Sequence, residues 1–248
     1  MDNMFSGFIP PSIFNLSLLT GLDIGFNLFH GNIPSDIGIS LPNLEFFSIA
    51  SNQFTGSIPV SISNASNLEL LQVSLNNLTG EVPTLEKLHR LNFFTLSSNH
   101  LGSGQANDLN FLSSLTNSTT LGYLSIKRNN FGGELPKQIS NLSTMLEVIS
   151  LAENNIFGSI PAGTEKLVSL TLFDVSTNKI SGIIPSSIGE LQNLEGLEFS
   201  SRILECLNSI FRIGISCCVE LPRERMKISD AVAQLCSVRN ELLSTAGN

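Results

Sequence analysis

Charge is scarce in this sequence. Only 14 % of its residues are charged, against roughly a quarter in an ordinary soluble chain. The 13 Lys and Arg are outnumbered by 21 Asp and Glu, for a net charge of −8. That balance argues against a nucleic-acid partner, because phosphate binding needs clustered Lys and Arg. Cysteine is missing from the first 200 residues, and all 4 (Cys206, Cys217, Cys218 and Cys236) fall in the last 48. They form no C-x-x-C pair, and His30, His89 and His100 lie outside their segment, so no zinc site is expected. Buried thiols in a helical segment are the better reading of these cysteines. The three His read as isolated and solvent-facing in loops. Gly102-x-Gly104 lacks the third glycine and the flanking elements of a nucleotide fingerprint. No metal and no cofactor are expected.

Long apolar runs are missing too. The most apolar stretch, Ile203 to Leu221, is broken by Glu205, Asn208, Arg212 and Glu220. A membrane span needs roughly 18–20 nearly uninterrupted apolar residues. The opening Met1-Asp2-Asn3-Met4-Phe5-Ser6-Gly7 has no basic start, apolar core or small-residue cleavage site, so no signal peptide is expected there. Charge also divides the chain: residues 1–200 hold 7 basic and 16 acidic side chains, whereas 201–248 hold 6 and 5. Two segments of different origin explain the division.

What is present is a repeat. The frame L-x-x-L-x-L-x-x-N-x-L-x-G-x-I-P recurs, with Phe, Ile or Val allowed at the Leu positions. It reads Leu19, Leu22, Ile24, Asn27, Phe29, Gly31, Ile33, Pro34, and returns as Leu44, Phe47, Ile49, Asn52, Phe54, Gly56, Ile58, Pro59. Its asparagines are Asn27, Asn52, Asn76, Asn99, Asn129, Asn154 and Asn178, at spacings of 25, 24, 23, 30, 25 and 24. Such periods belong to leucine-rich repeats, roughly 20–29 residues long.

The physics follows from the pattern. In L-x-L both apolar side chains point to one face of a short strand and the x residues to the other. The Asn side chain carries donors and an acceptor, and stacked in register it can satisfy backbone groups where the chain leaves the strand. The Gly permits the bend, and the residue before Pro favours extended backbone. No single turn can bury its apolar face alone, so neighbouring turns must do it. The expected fold is an α/β solenoid over residues 1–201: a right-handed leucine-rich-repeat horseshoe of about eight turns with a parallel concave sheet. A short helical segment over 202–248 completes the chain.

The fifth turn departs from the frame. Leu91, Phe94, Leu96, Asn99 and Leu101 fit, but Gly102-Ser103-Gly104-Gln105-Ala106-Asn107-Asp108 replaces the usual ending. The sequence predicts a short helix over 108–115 on the convex side, capped by Asn107 or Asp108. This insert reads as a loop without a role, or as a ligand contact.

The G-x-I-P element resembles the plant-type leucine-rich repeat of receptor-like kinases and receptor-like proteins, a repeat that polygalacturonase-inhibiting proteins share. The resemblance covers residues 3–201, and Asp108 to Asn117 resembles a variant turn in receptor-like kinases of defence and development. It implies an extracellular solenoid at the plasma membrane, whose concave face binds peptides, other elicitors or a co-receptor kinase. The tail sharpens it. Glu205-Cys206-Leu207, Ile213 to Cys218 and Leu221-Pro222-Arg223-Glu224-Arg225-Met226 resemble the end of the protein-kinase C-lobe in the same receptors. Ile203, Leu207, Ile210 and Phe211 recur at helical spacing, as do Val232, Leu235, Val238 and Leu242, with Ser229 as a plausible N-cap. The resemblance implies that Arg225 would pair with an activation-segment glutamate, which is absent. So are a Gly-rich loop with its strand lysine, H-R-D-L-x-x-x-N and D-F-G. No phosphoryl transfer is expected. The frame calls for Asn at 202, where Arg202 stands, so the repeats stop mid-turn at Ser201–Arg202, as in an exon-skipped, deleted or mis-predicted receptor gene product.

Binding is then the expected function, with a polygalacturonase inhibitor or a non-functional truncated product as alternatives. The outward x positions are mostly small and polar, which leaves room for an extended peptide. The candidate ligand contacts are Gln72, Thr95, Tyr123, Ser125, Lys127, Arg128, Ser150 and Asp174. Lys127 and Arg128 form the basic pair, expected to capture an acidic group or carboxylate. Five N-x-S/T sequons, at Asn15, Asn64, Asn77, Asn117 and Asn141, are expected as N-glycosylation sites.

Overall fold

The computed structural model describes residues 3–199, and the helical segment expected over 202–248 lies outside them. From the second turn on, each turn begins with a three-residue strand in one parallel sheet of eight: Gly21–Asp23, Phe46–Ser48, Leu70–Gln72, Phe93–Thr95, Tyr123–Ser125, Val148–Ser150, Leu172–Asp174 and Gly196–Glu198. This is the concave sheet, and its register puts equivalent residues of successive turns side by side: Phe47 opposite Leu71, Leu71 opposite Phe94, Phe94 opposite Leu124. Because strand side chains alternate, all four point inward, and each is at most 1 % exposed. Burying such a side chain contributes roughly 1.5–3 kcal/mol. Leu44, Leu68, Leu91, Leu121, Leu146 and Leu170, from the frame's first Leu, complete the column and are fully buried.

The chain leaves each strand through a residue with left-handed backbone: Phe26, Ser51, Leu75, Ser98, Arg128, Glu153 and Thr177, with φ between 52° and 56°. A frame asparagine follows each one. Asn76 shows the arrangement: its Oδ1 accepts the Phe54 N–H at 2.9 Å, and its Nδ2 donates to the carbonyls of Ile49, Val73 and Ser74 at 2.9–3.2 Å. The left-handed residue turns the chain back, so the amide reaches carbonyls two and three residues behind it. The same amide bonds backbone groups of the preceding turn. Asn52, Asn99, Asn129, Asn154 and Asn178 repeat this set, and Asn27 accepts the Phe5 N–H. The ladder therefore ties each turn to the one before it.

Beyond the asparagine, a second parallel ladder of five strands joins Ser6–Gly7, Leu28–Asn32, Gln53–Gly56, Asn77–Gly80 and His100–Leu101. His30 and His100 lie on these strands, with His30 against the Phe8 ring at 4.6 Å, rather than in loops as the sequence suggests. Short helices close most turns, among them Ile37–Ser40, Val60–Asn64 and Lys137–Asn141. The second ladder stops at the fifth turn and resumes with a single parallel bridge between Glu134 and Phe157 and the pair Phe157–Gly158 and Lys179–Ile180. Among the described residues, no helix is long and apolar enough to cross a membrane.

The insert explains the break. Its α-helix runs over Phe111–Ser114 and continues as a tighter 3₁₀ turn over Leu115–Asn117, so it begins three residues later than the sequence predicts. Neither Asn107 nor Asp108 caps it; Asn110 precedes it and makes no side-chain capping bond. The Asp108 carboxylate is committed elsewhere. It accepts from the Ser103 N–H and hydroxyl at 2.9 Å, from the Gln105 N–H at 3.1 Å, and from the Gly132 N–H at 2.9 Å. Burial pushes this carboxyl up, but the N–H groups of Gly132, Ser103 and Gln105 and the Ser103 hydroxyl outweigh it and hold its pKa below the ordinary value. The loop thus folds onto the next turn, where Gly132 and Gly133 would otherwise continue the second ladder. A Cβ on Gly132 would sit 2.3 Å from the Gly104 backbone. Phe111 anchors the far end against Phe94 and Phe131, at ring distances of 6.3 and 5.7 Å.

Candidate functional site

The concave sheet presents its outward side chains in columns, one residue per strand. The column between the two frame leucines contains Ser48, Thr95, Ser125, Ser150 and Asp174, each at most 7 % exposed. Neighbouring strands lie only ~4.8 Å apart, so small side chains in this column shield one another. Their polar groups are also satisfied internally. Thr95 Oγ1 bonds Ser74 Oγ at 2.8 Å and Ser97 Oγ at 3.2 Å, and Ser97 Oγ bonds Ser125 Oγ at 2.7 Å. Asp174 accepts from Ser150 Oγ at 3.1 Å and from the Ser176 hydroxyl at 2.7 Å. Thr95, Ser125, Ser150 and Asp174 therefore form a hydrogen-bonded floor rather than a set of free contact groups. Gln72 and Tyr123 remain half-exposed.

Lys127 and Arg128 lie just past the strand Tyr123–Ser125, and both are paired. Arg128 donates to Glu153 through Nε at 2.8 Å and through Nη2 at 3.3 Å, and Lys127 Nζ lies 3.5 Å from the same carboxylate. The hydrogen bond from Arg128 holds Glu153 below its ordinary pKa against the opposing effect of burial, with both cations adding to the lowering. One carboxylate thus offsets one of the two positive charges of the expected anion-capturing pair. Glu153 stands one period of 25 residues after Arg128. That spacing was the available sequence signal, because residues one period apart are neighbours on adjacent turns.

A column missed in the sequence lies one position before the inward Leu: Phe46, Leu70, Phe93, Tyr123, Val148 and Leu172, on six consecutive strands. Phe46 is 38 % exposed and the other five are half-buried. Phe93 and Tyr123 stack, with ring centroids 4.4 Å apart and planes 11° from parallel. These six form a continuous apolar band across an otherwise polar sheet. Of the six, only Tyr123 is among the candidate contacts of the sequence, because the frame leaves this position unspecified.

Beside the band, along the sheet edge, the preceding residue of each turn reads Glu45, Glu69, Asn92, Gly122, Glu147, Thr171 and Glu195, and its four glutamates are exposed. Glu69 is paired with Arg90. The five sequon asparagines are all exposed. Asn15, Asn64, Asn117 and Asn141 each end a short helix, and Asn77 opens a strand of the second ladder, so none lies on the concave sheet.

The family model described as Leucine Rich Repeat matches residues 43–65 and 169–191. The chain is 42 % identical over 84 residues to the LRR receptor-like serine/threonine-protein kinase EFR of Arabidopsis thaliana, a match covering 34 % of this chain and 8 % of that one. It is 38 % identical over 181 residues to receptor-like protein 35 of the same plant, covering 73 % and 16 %. The chain thus spans less than a fifth of the length of these curated relatives. Among solved structures, the Arabidopsis receptor kinase HAESA, in complex with the peptide hormone IDA and the co-receptor SERK1, superposes with a TM-score of 0.73. That match has 30 % identity and covers 80 % of this chain and 32 % of that one. Residues 3–199 are a leucine-rich-repeat solenoid whose relatives are plant receptor-like kinases and receptor-like proteins.

Proposed function

We propose that the solenoid is a recognition module that binds an extended peptide across its concave sheet and performs no catalysis. One observation carries this reading: the apolar band from Phe46 to Leu172 stands partly exposed beside a column whose Thr95, Ser125, Ser150 and Asp174 are buried and internally bonded. An exposed contiguous apolar strip rimmed by polar residues marks an interaction surface. A peptide running across the strands would place side chains along the band, with the buried floor of Ser48, Thr95, Ser125 and Ser150 leaving room for its backbone. The HAESA complex with a peptide hormone supports the reading by likeness of scaffold, and its co-receptor makes a second kinase ectodomain a proposed partner here too. The five exposed sequons fit the same role, since glycans there would leave the concave sheet open.

The test is a selection. The full chain is immobilised and panned against a phage-displayed library of short linear peptides, then counter-panned on a Phe93→Ser/Tyr123→Ser variant whose fold is checked by circular dichroism. Enriched peptides that bind the parent chain and lose at least tenfold on the variant support the proposal. Enrichment that ignores the variant, or no enrichment, overturns it.

A further inference from the structure

We infer that the peptide this face accepts carries a Lys or Arg side chain, which seats in a recess at the sheet edge between Glu147 and Glu195; the inference rests on the peptide-binding reading above. The recess is open, with a volume of about 450 Å³, and Glu147, Thr171 and Glu195 line it together with Ser169, Gln192 and Asn193. The three edge residues hold equivalent places on adjacent strands: the Thr171 N–H donates to the Glu147 carbonyl, and the Glu195 N–H to the Thr171 carbonyl, both at 2.8 Å. With strands ~4.8 Å apart, the two glutamates stand roughly 10 Å from one another across Thr171. Among the described residues, neither forms an ion pair. The next residue on each of these strands is Val148, Leu172 and Gly196, so the recess opens at the end of the apolar band.

Charge complementarity selects the occupant. Lys127 and Arg128 share the Glu153 carboxylate and line no part of this recess. Glu45, at the other end of the same edge, is a further exposed carboxylate that forms no ion pair among the described residues. A peptide with an acidic side chain in this recess would meet two carboxylates, and no Lys or Arg lines it. One with a long cationic side chain could lie over Val148 and Leu172 through its methylenes and put its head group between Glu147 and Glu195.

The library selection described above tests this separately from peptide binding itself. Peptides selected on the parent chain should be enriched in Lys and Arg over Asp and Glu, and should bind less tightly as salt rises. On a Glu147→Gln/Glu195→Gln variant, which removes only exposed charges, selected peptides should bind about tenfold more weakly. If the selected peptides are neutral or acidic, or bind the double variant equally well, the cationic inference is wrong while peptide binding stands. If nothing is selected, both readings fail together.

Discussion

The Asp108 carboxylate accepts the Gly132 N–H at 2.9 Å, 24 positions along the chain, and this bond ties the loop of the irregular fifth turn to the turn that follows. Three further bonds from Ser103 and Gln105 gather the loop around the same carboxylate. Asp108 is 5 % exposed and its bond to the Gly132 N–H is buried, so that N–H has no ready replacement partner in solvent.

Asp108→Ala should therefore destabilise the solenoid by about 2–3 kcal/mol, since hydrogen bonds to a charged group are worth ~1.5–3 kcal/mol and the buried Gly132 N–H is left unmet. At this chain length that corresponds to a fall of roughly 4–12 °C in Tm. Limited proteolysis should cut first near Gly104. Unchanged melting and an uncut loop would show that the loop is held by other means.

The pH dependence follows with a definite sign. The folded carboxyl titrates below its ordinary value of 3.8. Its contribution is therefore complete above the unfolded pKa and is lost as pH falls through the lower, folded one. Loop protection measured by proteolysis or hydrogen exchange should hold at pH 5–7 and decline below about pH 4. An Asp108→Asn variant should lack that dependence at the loop.

The ladder allows a graded comparison. Asn154 makes four bonds, to the Phe131 N–H and to the carbonyls of Ile126, Leu151 and Ala152, and is 9 % exposed. Asn154→Ala should cost about 3 kcal/mol, because each buried group left without a partner costs ~1–3 kcal/mol. Asn27→Ala should cost about 1 kcal/mol, because its bonds are exposed or only part-buried at the N-terminal end of the ladder. Equal losses in chemical denaturation would contradict the ladder's dependence on burial.

These asparagines were legible in the sequence because identity and spacing recur together, and backbone need explains both. The chemistry that varies between turns was harder to read. Asp108 looked like a helix cap because an Asp before an apolar run is the usual cap signal; its true partner, Gly132, lies in the next turn. Lys127 and Arg128 looked free because Glu153 is distant in sequence, although one period brings it alongside. The apolar band was hidden at a position the frame leaves unspecified. In each case the missing step was to compare residues one period apart, which in a solenoid are spatial neighbours.

Gly132 offers the sharpest test of how insert and solenoid fit. A methyl group there would overlap the Gly104 backbone at 2.3 Å, and backbone cannot step aside as a flexible side chain can. Gly132→Ala should therefore push the loop off the next turn and cost about 1–3 kcal/mol. Gly189→Ala is the control: a Cβ there meets nothing within 4 Å, and the residue lies inside the helix Ser186–Glu190, so it should be neutral or slightly stabilising. The decisive measurement combines Gly132→Ala with Asp108→Ala. Both act by releasing the same loop, so once one has done so the other has little left to break. The double variant should lose less than the two single losses added, by at least ~0.5 kcal/mol in chemical denaturation. Strict additivity would mean that the Asp108 bonds and the Gly132 contact hold separate pieces of structure.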